Sequence, residues 1–70
     1  MKNKKEITWN DTQEIAEALH EKYPHLNPKY IRFTDLHNWI CKLKNFKDNP
    51  NSSNERILES IFLKWLQEYE

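Results

Sequence analysis

"FTDLHNWICKL", Phe33–Leu43, decides how the chain is read. At 100° per residue, Leu36, Trp39, Ile40 and Leu43 fall on one side, which predicts an amphipathic helix capped by Thr34 and running to about Leu43. The same stretch carries Asp35, His37 and Cys41, and His37 and Cys41 stand four apart, about 40° from each other on a helix. That flank is a pair of metal ligands, a nucleophile with its base, or the edge of a packed helix. A structural zinc site needs four ligands; the chain has one cysteine, and His20 and His25 belong to other segments. A Cys/His nucleophile needs an orienting partner and a local signature, and neither is visible. Packing at a helix seam is the reading the residues favour.

Outward from this helix, "NDTQEIAEALHEKY" offers Asn10 or Asp11 as N-cap, with Gln13 or Glu14 three residues on as capping boxes. Ile15, Ala16, Leu19 and Tyr23 form its apolar stripe, and Glu14, Glu17 and Glu21, with Asp11 at the edge, form an acidic back. Pro24 and Pro28 break the helical pattern after it, and Tyr30–Phe33 reads as a short strand. Beyond Leu43, "KNFKDNPNSSNE" is a polar loop from which Phe46 returns to the core. Ser52 with Glu55 reads as the capping box of a last helix. That helix turns Ile57, Leu58, Ile61, Phe62, Trp65, Leu66 and Tyr69 inward and leaves Leu63 outside. Residues 1–8 read as a flexible polar lead, and 9–70 as one mainly α, three-helix, winged-helix-like domain with at most a small β element.

Composition bounds the function. A chain of 70 residues is one small domain that buries roughly 60% of its unfolded surface, and nine aromatic residues supply much of the apolar area. One cysteine excludes an internal disulfide and fits a reducing compartment. No apolar run approaches the ~20 residues that span a bilayer, and the basic start has no apolar stretch behind it, so a cytoplasmic protein is expected. Eleven basic and eleven acidic residues cancel, so only their distribution speaks of partners. The absence of glycine excludes a phosphate-cradling loop. No isolated carboxylate pair suggests an enzyme.

The carboxylates of the first helix can meet a basic groove or hold a hard divalent ion loosely through oxygen and water; a merely solvated face is the plainer alternative. Lysines gather at Lys2, Lys4 and Lys5 and again at Lys42, Lys44 and Lys47, which invites a nucleic-acid reading. The last helix, which would be the recognition helix, carries Glu55, Glu59, Glu68 and Glu70 against Arg56 and Lys64, and phosphate contacts disfavour that.

Trp9 before an acid-bearing helix, "EALHEKYPHLNP", "IRFTDLHNWIC", "SNERILES" and the terminal "WLQEYE" together resemble the IscX (YfhJ) family, accessory proteins of bacterial iron–sulfur cluster assembly. The likeness covers nearly the whole chain from about Trp9, and "RFTDLHNWIC" is its most specific part. The resemblance implies a modified winged-helix fold and a non-enzymatic adaptor that binds the cysteine desulfurase IscS; a monomer is expected. It also implies weak binding of ferrous iron (Fe2+). It assigns partner binding to Asp11, Glu14, Glu17, Glu21 and Asp35, and the weak metal site to Glu14, Glu17 and Glu21. A small winged-helix-like nucleic-acid-binding regulator is the alternative. One departure stands out: where the family is usually acidic after its signature cysteine, this chain carries Lys42, Lys44 and Lys47. His25 and Asn27 likewise replace common acids, so desulfurase docking is expected to survive better than iron affinity.

Overall fold

Three apolar stripes, none able to bury itself alone, close on one another. The computed structural model describes residues 6–70. It contains helices α1 (Thr12–Lys22), α2 (Phe33–Cys41) and α3 (Glu55–Tyr69), with short 3-10 turns at Pro28–Tyr30 and Pro50–Ser52. The most extensive packing is between α1 and α3. They run antiparallel, since Gln13 near the start of α1 meets Glu68 near the end of α3. The described residues form no sheet; their β structure is one parallel bridge between Ile7 and Phe46. The expectation of a mainly α, three-helix domain holds.

The core takes Ile15, Ala16 and Leu19 from α1, Leu36 and Ile40 from α2, and Leu58, Ile61 and Trp65 from α3. Trp39 of α2 lies between Tyr23 and Trp65, with ring centroids 5.5 and 6.2 Å away. Phe46 is buried as expected, and Leu63 is exposed as expected. Tyr69 is not inward: it is 37% exposed, because α3 runs past the helices it packs on. The Trp65 indole Nε1 is buried with no hydrogen-bond partner, a local cost of about 1–3 kcal/mol that the packing of the ring must outweigh.

Several boundaries differ from the sequence reading. Tyr30–Phe33 does not form a strand: Asn27 Oδ1 accepts from the Lys29 N–H and starts a 3-10 turn at Pro28, and α2 begins at Phe33 with Arg32, not Thr34, as N-cap. Asp11 is the N-cap residue of α1, yet its carboxylate does not cap the helix. Oδ2 instead accepts from the Thr8 N–H and hydroxyl at 3.0 and 3.3 Å. At α3 the cap is Asn54, whose Oδ1 accepts from the Ile57 N–H at 2.9 Å; Ser52 belongs to the preceding 3-10 turn.

The lead also ends earlier than residue 8. Residues 1–5 of it lie outside the described residues, but Ile7 is buried. Its N–H donates to Asn45 O at 2.8 Å and its carbonyl accepts from the Lys47 N–H at 2.9 Å. Ile7 belongs to the domain because it covers Phe46 and pairs the backbone of the loop beneath it.

Candidate functional site

The question raised by Phe33–Leu43 is settled by what lies around His37. Trp9 stacks on its ring, with centroids 5.4 Å apart and planes 23° from parallel. The other partner of the ring is the Pro50 carbonyl, 2.7 Å from Nε2. A carbonyl only accepts, so Nε2 carries the hydrogen, and in the neutral ring Nδ1 is then an acceptor. The Cys41 Sγ lies 3.9 Å from that Nδ1, the reach of a weak S–H donor. Burial pushes the Cys41 thiol above its ordinary pKa. A reactive cysteine needs the opposite, a thiolate favoured by positive charge. His37 and Cys41 therefore close a seam and are not set up as base and nucleophile.

That seam secures the loop after α2. Trp9 donates its N–H to Asp48 Oδ2 at 3.0 Å and its indole Nε1–H to Asn49 O at 2.7 Å. Its ring meets Phe46 edge-on at 4.8 Å. Asp48 Oδ1 accepts the Asn49 N–H at 2.7 Å, so this carboxylate serves the backbone on both sides. Sequence reasoning noted Trp9 only as a marker of likeness. Its tie to Asp48 and Asn49 spans some forty positions, and no local pattern announces it.

The acidic residues divide by position. Glu17 and Glu21 are exposed on α1. The Gln13 side-chain amide, itself exposed, donates to Glu17 Oε2 at 3.1 Å and to Glu68 Oε2 at 3.3 Å. One NH2 group offers two hydrogens, so each carboxylate takes one, and the amide holds together two like charges from different helices. Glu68, which the sequence reading used only against nucleic acid, thereby joins the α1 face. Its signal was available only as an α3 residue at the end antiparallel to Gln13.

Glu14 is different: it is half-buried, its Oε1 is shielded from water, and it is partnered within the chain. Asp11 is spent on Thr8. Asp35 is exposed in the first turn of α2, where a carboxylate favours the positive helix end; it stands on a separate helix from Glu17 and Glu21. Of the five expected partner-binding residues, Glu17 and Glu21 form an outward pair, and Glu68 extends it.

Among the described residues no group of three or more His, Cys, Asp or Glu side chains is gathered to hold a metal ion. Glu14 cannot turn both oxygens outward, and Glu17 already accepts from Gln13. Two exposed carboxylates and water remain, too few for a built divalent site.

A shallow apolar groove of about 330 Å³ lies between α2 and α3, lined by Phe33, Thr34, His37, Asn38 and Leu58. Among the described residues no helix is long and apolar enough to cross a membrane. The family model for iron–sulfur cluster assembly matches residues 7–70, a span that begins at the buried Ile7. An uncharacterized protein of Pseudomonas aeruginosa is 40% identical over 62 residues, 89% of this chain and 94% of its own length.

Proposed function

The chain belongs to the iron–sulfur cluster assembly family, of the IscX (YfhJ) type, and on that premise we propose that it is a non-enzymatic adaptor. It docks on the cysteine desulfurase IscS through the carboxylate edge shared by α1 and α3. The observation that carries this reading is the Gln13 amide joining Glu17 to Glu68. Like charges side by side cost free energy, and an internal donor that holds them together leaves a preorganised negative edge for a basic groove. Single exposed ion pairs contribute about 0–1 kcal/mol, so the affinity comes from Glu17, Glu21 and Glu68 acting together, with much of the effect on the rate of encounter.

Iron has a subordinate place in this proposal. Any Fe2+ held by Glu17 and Glu21 is weakly bound, and docking does not depend on it. No chemistry is assigned to Cys41, whose thiol is kept protonated by burial.

The test compares binding to the purified desulfurase of the wild type, the Glu17→Lys/Glu21→Lys double variant and Cys41→Ser. The double variant is expected to bind at least about tenfold more weakly, because attraction becomes repulsion at two positions. Cys41→Ser is expected to bind like the wild type. Equal losses in the two variants would refute the reading.

A further inference from the structure

The loop after α2 alternates its side chains with a consequence for charge. Leu43 and Phe46 turn inward and are buried, while Lys42, Lys44 and Lys47 are exposed. Its backbone does not drift. The Asn45 carbonyl and Lys47 N–H are paired to Ile7, Phe46 packs on Trp9, and Asp48 and Asn49 accept from Trp9. Three ammonium groups are thus carried on one segment of six residues whose backbone is tied to Ile7 and Trp9.

The neighbouring carboxylates offset only part of this charge. Asp48, the acid of the loop itself, keeps its charge while both oxygens accept backbone N–H groups, so residues 42–48 set three lysines against one carboxylate. Glu6 is brought beside the loop by the Ile7 bridge and offsets one lysine at most. We propose that Lys42, Lys44 and Lys47 form a second docking surface, separate from the α1–α3 edge, whose partner is a short acidic polypeptide segment.

A nucleic acid fits this surface less well. Its backbone charge runs on beyond three lysines. Trp9 and Phe46, the aromatic rings at the loop among the described residues, are buried and offer no stacking platform. A short acidic segment matches a footprint of three lysines. An adaptor with a negative edge and a positive loop can hold two partners of opposite charge at once, and the loop surface stands independently of the desulfurase reading.

The test is fluorescence anisotropy of a labelled peptide of alternating glutamate and serine, titrated with the full chain at low and physiological salt. A labelled single-stranded oligonucleotide of equal charge is titrated in parallel. The wild type is expected to bind the peptide more tightly than the oligonucleotide, with affinity falling as salt rises. Lys44→Glu/Lys47→Glu is expected to lose at least about tenfold. Lys22→Glu/Lys29→Glu changes net charge equally at exposed positions on other segments and is expected to stay within about twofold. The milder Lys44→Gln/Lys47→Gln variant is expected to fall between the wild type and the reversal, and it serves if the reversal does not fold. The proposal is overturned by absence of peptide binding at low salt, by equal losses in the two charge-reversal variants, or by tighter binding of the oligonucleotide.

Discussion

Replacing Trp9 by Phe separates the indole N–H from the apolar bulk of the ring. Trp9 is 2% exposed, and its Nε1–H bond to Asn49 O is 2.7 Å long. Losing that bond costs about 0.5–1.5 kcal/mol net; Asn49 is exposed, so water reaches its freed carbonyl and the lower half of that range applies. The smaller ring gives up roughly 40 Å² of buried apolar area, about 1 kcal/mol at 25 cal/mol per Å². A weaker stack on His37 adds a few tenths of a kcal/mol. The sum is about 2 kcal/mol, against about 3–5 kcal/mol for Trp9→Ala.

In a domain of this size, 2 kcal/mol lowers the melting temperature by roughly 8–16 °C. Urea unfolding followed by far-ultraviolet circular dichroism measures the loss. Hydrogen exchange locates it: the Lys47 amide, bonded to Ile7 O, is expected to lose more protection than the amides of α1 and α3. A loss below about 0.5 kcal/mol, or uniform loss of protection across the chain, would refute the reasoning that Trp9 secures the loop.

Three further outcomes follow from the same structure. Asn54→Ala is expected to cost about 1 kcal/mol and Ser52→Ala at most a few tenths, since only Asn54 caps α3; paired denaturant midpoints check this. Trp65→Phe removes an indole N–H that has no acceptor, so in thermal unfolding its cost is expected to fall below that of Trp9→Phe, although Trp65 is the more deeply buried. Cys41 has a pKa raised by burial, so alkylation at neutral pH is expected to be slower than for the unfolded chain. Its linkage has a definite sign: any stability gained from the neutral thiol is complete below the unfolded pKa and disappears as pH rises through the folded one. Wild type minus Cys41→Ser stability is therefore expected to decline only at alkaline pH.

The helices were legible because periodicity is local. Ile15, Ala16 and Leu19, or Leu36 and Ile40, state their face within a few turns. The starts were less legible where cap-capable residues compete. Asn49, Ser52 and Asn54 are all residues that can cap, but Asn49 and Ser52 fall in the 3-10 turn that Pro50 opens, where Asn49 Oδ1 accepts the Asn51 N–H, which leaves Asn54 for α3. The Tyr30–Phe33 segment has strand composition but no partner strand, and Asn27 with Pro28 offered the backbone a turn instead. Of the candidate site, the wheel located Glu17 and Glu21, whose exposure depends only on α1. It could not show that Glu14 is covered, that Asp11 is drawn to Thr8, or that Glu68 arrives through Gln13. Those outcomes depend on neighbours distant in sequence, as does the service of Asp48 to Trp9.

This family member is proposed to work by docking through the Glu17, Glu21 and Glu68 edge. Calorimetric titration of the full chain into the purified desulfurase, at low and physiological salt and with and without ferrous iron, tests it most directly. The account predicts binding that weakens as salt rises and is little changed by iron. Absence of binding at low salt, or binding that appears only with iron, would contradict it.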